Sequence, residues 1–146
     1  IAISEDDDTI RLSGKSDLNI QEQTICDRQV RENRPERTLI LGWNWRVPMI
    51  VNELENYVPV VSTVTILANF AEGEIEIARQ CPNVEKITVS FEQADTTDRR
   101  VLDKVLDDQY DHVIIVCYSD TLEPQEADAR TLITLLHLRD IVQRTG

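Results

Sequence analysis

The sequence predicts an α/β fold, a Rossmann-like, doubly wound parallel sheet of about four to six strands with helices on both faces and an extended N-terminal segment. Two observations carry this. Four short apolar runs alternate with four segments of helical periodicity, which is the pattern of successive βα units. The runs are nearly continuous in Val, Ile and Leu, as strands covered on both faces must be. Right-handed crossovers then make a Rossmann-like winding the simplest topology.

The first run, Thr38 to Gly42, ends in glycine, and Val47, Ile50, Val51, Leu54 and Val58 follow at helical spacing, with Pro48 suited to a first-turn position. The second, Ser62 to Ala68, is rich in β-branched residues and precedes a short Glu-rich helix from Ala71 to Gln80. Lys86 to Phe91 is the third strand. The third helix, Asp98 to Gln109, puts Val101, Leu102, Val105 and Leu106 on one face. His112 to Tyr118 is the fourth and most apolar strand. After Pro124 a long helix runs to about Arg144, and its Ala127, Leu132, Ile133, Leu135, Leu136, Leu138, Ile141 and Val142 cover more than one apolar stripe. Such a helix is expected to pack on the sheet with one side and on another subunit, or a missing part of the chain, with the other.

Composition narrows the functional classes. The 146 residues carry 15 Lys plus Arg against 27 Asp plus Glu, a formal charge of −12, which excludes nucleic acid and anionic membrane surfaces as partners. No apolar run approaches the roughly 18 residues that span a bilayer, and no secretory leader pattern is present, so the chain by itself is expected to be soluble. Cys26, Cys81 and Cys117 lack metal-ligand spacing and read as reduced thiols. His112 and His137 belong to no zinc-binding pattern. The ends, IAIS and RTG, read as those of a piece excised from a longer protein.

In a doubly wound sheet a ligand binds beyond the carboxyl ends of the strands, where strand order reverses. Here that point follows the first strand, and the ligand candidates around it are Gly42, Trp43, Asn44, Asn69, Asp95, Ser119 and Asp120. A dinucleotide needs GxGxxG there so that backbone can approach its pyrophosphate. Only Gly42 is present; Trp43, Trp45 and Arg46 crowd the rest, Asn69 stands where a ribose-binding acid would be, and NAD is not expected. Trp43 or Trp45 is expected to pack on neighbouring helices. Ser119 and Asp120 suit a helix start as well as a ligand, and Asp128 and Arg130 suit ion pairs with a neighbouring element. Glu5, Asp6, Asp7 and Asp8 are four adjacent carboxylates of the kind that suits Ca²⁺ or Mg²⁺, but they lack the spacing of an EF-hand, and on the sequence alone a solvated turn is the favoured reading over a cation site. No catalytic constellation is legible, and the chain is expected not to be an enzyme.

Three stretches together carry a family resemblance: Ile1 to Thr9 (IAISEDDDT), Arg37 to Asn44 (RTLILGWN) and Asp128 to Ile141 (DARTLITLLHLRDI). They resemble the cytosolic part of the CASTOR/POLLUX family of cation channels and its bacterial relatives. The resemblance implies an RCK module, similar to TrkA-N domains, in which residues 1–37 are the end of a preceding module and a linker and residues 38–146 are the Rossmann-like lobe. It further implies a homo-oligomeric gating ring of such modules beneath a membrane pore domain on the parent chain. The module would then be the cytoplasmic domain of a membrane protein, coupling an ion such as Ca²⁺ or another ligand to conduction of potassium or other cations. The alternative on the same fold is an NAD(P)- or nucleotide-binding regulator or oxidoreductase.

Overall fold

The computed structural model describes residues 34–145. Within them four strands, β1 (Arg37–Leu41), β2 (Ser62–Ala68), β3 (Ile87–Gln93) and β4 (His112–Ile115), alternate with four helices, α1 (Arg46–Tyr57), α2 (Gly73–Gln80), α3 (Arg99–Leu106) and α4 (Pro124–Thr145). The sheet is entirely parallel with strand order β3-β2-β1-β4. Strand order therefore reverses between β1 and β4, at the turn after the first strand, and the fold is Rossmann-like α/β.

Alternate residues of β1 build the two layers. Ile40, with Val64 and Ile66, packs beneath Val47 and Val51 of α1 and Ile77 of α2. Leu39 and Leu41, with Leu67, face Leu102 of α3 and Leu138 and Ile141 of α4. All three β1 leucine and isoleucine side chains are fully buried, so a charge at any of them would face a close-packed layer.

The helix starts have separate local causes. Asp98 caps α3 by accepting from Arg100 N, satisfying a donor that the first helical turn leaves without a partner. The N-cap residue of α1, Trp45, supplies no capping side chain. Asn44 does so instead, its Oδ1 accepting from Arg46 N at 2.9 Å.

The structure ends α3 at Leu106 rather than Gln109 and corrects the fourth strand. The apolar run to Tyr118 is strand only as far as Ile115, and β4 is an edge strand, exposed at His112 and Val113. Its ladder ends with Val116 N donating to Leu41 O at 2.7 Å. Beyond that point β1 turns away at Gly42, whose φ is +99°, and among the described residues Val116 to Tyr118 have no strand to pair with. Their apolar character serves burial against the α1 layer, where Val116 and Tyr118 join the core.

Candidate functional site at the carboxyl end of the sheet

Gly42 begins the site. A Cβ there would stand 2.0 Å from Val116 O and 3.6 Å from the Tyr118 ring. The glycine thus makes the tight turn of the first fingerprint position against the backbone and aromatic ring of the segment after β4, while the second position, where backbone would approach a phosphate, is Asn44.

Asn44 ties the same two segments from the other side. It is buried, and its Nδ2 donates to Cys117 O at 2.9 Å while its Oδ1 holds Arg46 N. Asp120 completes the closure, with Oδ2 accepting from Trp45 N at 2.6 Å and Oδ1 accepting from the Ser119 hydroxyl at 3.0 Å. A carboxylate of the chain therefore lies at the N-terminus of α1, where the helix dipole and free N–H groups favour an anion.

Trp43 is 4% exposed and stacks on Phe70 with ring centroids 4.9 Å apart, while Phe91 meets it edge-on at 5.8 Å. Gly73 makes room for that arrangement, since a Cβ on it would lie 2.2 Å from the Phe91 ring. Of the two tryptophans Trp43 takes the packing role, while Trp45 is 54% exposed and covered on one face by the Arg46 guanidinium at 4.6 Å. Its backbone N–H, rather than its ring, joins it to the site.

Among the predicted ligand residues, Gly42, Trp43, Asn44, Ser119 and Asp120 come together around the β1–α1 turn. Asn69 is linked to them through Tyr118, whose hydroxyl accepts from Asn69 N at 3.0 Å; the Asn69 side chain itself is not part of that bond. Asp95 stays apart, with Oδ1 accepting from Thr97 N and from the Thr97 hydroxyl and pairing with Arg130 at 3.4 Å. It fixes the loop that leads into α3 and ties it to α4. Arg130 thus forms the expected ion pair, whereas Asp128 enters none among the described residues.

Tyr118 was hidden in the sequence because it closes an apolar run that reads as strand. The signal that could have exposed it is a lone glycine after β1 with no second glycine, which calls for a close neighbour other than a phosphate. Glu5, Asp6, Asp7 and Asp8 lie outside the described residues. Among the described residues no group of three or more His, Cys, Asp or Glu side chains is placed to hold a metal ion, and no helix is long and apolar enough to cross a membrane.

A groove of about 560 Å³ lies elsewhere, between β2, β3 and α3, with Leu67, Glu92, Val101, Lys104, Asp108 and Tyr110 in its lining. Charges of both signs border it, so it selects no charge class of ligand. None of the predicted ligand residues lines it.

The thiol of Cys81 is buried against α1, donating to Pro48 O at 3.5 Å. Burial pushes its pKa up, against an opposing hydrogen bond with Asn52, so it is a core group and a poor nucleophile. No family model matches the chain, and no curated protein matches it.

Proposed function

We propose that the chain is the cytosolic regulatory module of a cation or potassium channel or transporter, working in a homo-oligomeric ring that couples an ion or ligand to the pore. The observation that carries this reading is α4, a helix apolar on two sides: Leu138 and Ile141 enter the core while Leu132, Leu135 and Leu136 are exposed. A lobe with such a helix is suited to assembling with other lobes. The resemblance of its sequence to the CASTOR/POLLUX channels supplies the class of assembly.

The crevice argues against the dinucleotide alternative. A pyrophosphate at α1 would meet the Asp120 carboxylate, and Asn44, tied to Cys117 O, stands where the second glycine would let backbone approach it. These residues do not fit NAD in its usual pose, so the proposal includes neither NAD chemistry nor an enzyme activity. Regulation then requires that the ligand have unequal affinity for two arrangements of the ring. The acidic run Glu5 to Asp8 is the proposed place for a cation such as Ca²⁺.

Light scattering on the whole chain, with and without Ca²⁺, tests the reading, alongside thermal shifts with NADH, ATP and AMP. The expected result is a Ca²⁺-dependent change in assembly or stability and no shift with NADH. A chain indifferent to Ca²⁺ and strongly stabilised by NADH would overturn it in favour of a dinucleotide-binding protein.

A further inference from the structure

The exposed flank of α4 carries a charge pattern as well as an apolar one. At about 100° per residue, Leu135, Asp128, Arg139 and Leu132 fall within a wedge of roughly 60°. The ion pairs that hold the helix to its neighbours, Arg130 with Asp95 and Asp140 with Arg99, lie on other sides of it. Leu132 and Leu135 are 55% and 50% exposed. Asp128 and Arg139 are exposed too, and neither enters an ion pair among the described residues.

The order of these four residues has a twofold centre. Asp128 and Arg139 are each equally far from the midpoint between Ile133 and Thr134, and so are Leu132 and Leu135. Turning the helix about that midpoint exchanges acid with base and leucine with leucine. We propose that this flank docks on the same flank of a second copy of the chain, with the two α4 helices antiparallel and centred at that midpoint. Leu132 then faces Leu135 of the second copy in the middle, and Asp128 faces its Arg139 at both ends, about 16 Å apart along each helix. One patch meeting itself about a twofold axis is the usual form of a two-copy interface.

Charge selects this arrangement over its rivals. Parallel helices would set Asp128 against Asp128 and Arg139 against Arg139. Shifting the antiparallel pair by one turn would set Asp128 against Leu135 or Gln143. Only the centred antiparallel pair satisfies both charges and joins both leucines, which is complementarity that a flank meant for an unrelated partner would have no reason to hold within itself.

The inference rests on the functional reading above only in taking the chain to assemble with its own copies. Sedimentation equilibrium on the full chain and on Asp128→Arg and Arg139→Asp tests it separately. Each reversal places two like-charged pairs in the dimer and is expected to weaken association about ten- to thirtyfold, on the modest worth of exposed pairs. Mixing the two variants restores both pairs, so the mixture is expected to form heterodimers with close to wild-type affinity. Leu135→Asp is expected to leave a folded monomer, with circular dichroism confirming the fold. A wild-type chain that stays monomeric overturns the docking, whatever segment or partner then covers the flank. A dimer insensitive to both reversals, or one that mixing fails to rescue, also overturns it and leaves the regulatory reading to be judged on its ligand response.

Discussion

At the amino end of the sheet, Glu55 near the close of α1 accepts from the backbone N–H groups of Glu85, Lys86 and Ile87, where β3 begins. At the carboxyl end Asp120 accepts from Trp45 N, where α1 begins. The two carboxylates do the same kind of work in different settings. Glu55 joins a helix end to a strand start and accepts from three successive backbone donors there, which is a structural task. Asp120 satisfies one donor at the place where this class of sheet ordinarily meets its ligand, so its task is also one of occupancy. The same device, a carboxylate on backbone N–H groups, thus serves at both ends of the sheet.

That contrast predicts the largest effect at Gly42, where closure is by backbone. Gly42→Ala puts a Cβ against Val116 O and forces a left-handed φ on an L residue. A loss of about 3 kcal/mol or more is expected in urea unfolding. Gly73→Ala meets the Phe91 ring instead, at a position without positive φ; a side chain yields more readily than backbone, and a loss of about 1–3 kcal/mol is expected. Equal stability of Gly42→Ala and the parent chain would mean that the turn and the segment after β4 separate freely, and the crevice would then be open to ligands.

The Glu55 closure predicts an effect that depends on pH. Burial pushes its carboxyl up, but the backbone N–H groups of Lys86, Glu85 and Ile87, together with the Lys86 charge, outweigh it and hold the pKa below the ordinary 4.5. A carboxyl lowered in the folded state adds stability that is complete above its unfolded pKa and is lost as pH falls through the folded value. Glu55→Gln is therefore expected to lower Tm by several degrees at neutral pH and by progressively less below pH 4.5. Calorimetry from neutral pH into the acid range reads the difference directly. Asp98, Asp111 and Asp140 are held low as well, so both proteins soften in acid and only the gap between them reports Glu55. A gap that stays constant through the acid range would remove the three N–H bonds as its cause.

The same contrast explains what could be read from the sequence. Apolar periodicity decided the strands and helices, because each is a local pattern: Ser62 to Ala68 and the end of α2 at Gln80 agree to the residue with the folded elements. The reversal of strand order after β1 also followed from the simplest winding. The end of β4 did not, because whether Val116 to Tyr118 continue a ladder depends on Gly42 turning β1 away, and that is a fact about another strand. The occupant of the α1 N-terminus was equally hidden. Asp120 was marked as a candidate from its place after the fourth apolar run, but the bond to Trp45 N spans 75 residues, and no spacing rule predicts which donor an acid at the end of one strand will reach across another. Of the residues marked at that end, Asp95 had the right local character and a different role, since its own loop and Arg130 use its oxygen.

The smallest effect belongs to Asp120, and it separates charge from hydrogen bonding in the closure. Its carboxylate is exposed, and Asn44 already holds the next N–H of α1, so only one backbone donor, Trp45 N, depends on it. Asp120→Ala is expected to cost about 1 kcal/mol, the usual worth of a helix-start acceptor. Asp120→Asn keeps an oxygen for Trp45 N, loses the acceptor of the Ser119 hydroxyl, which is exposed and turns to water, and loses the attraction of a full charge to the helix dipole; it should cost about half as much, by an amount that shrinks as salt is added. Urea unfolding of both variants at low and at moderate salt measures the two parts. Equal losses for Ala and Asn would make the charge the whole of the closure, and the α1 N-terminus would then be an anion site that the chain fills for itself. A loss confined to Ala would make Asp120 a simple hydrogen-bond acceptor, and the closure of the crevice would rest on Asn44, Val116 and Tyr118 alone.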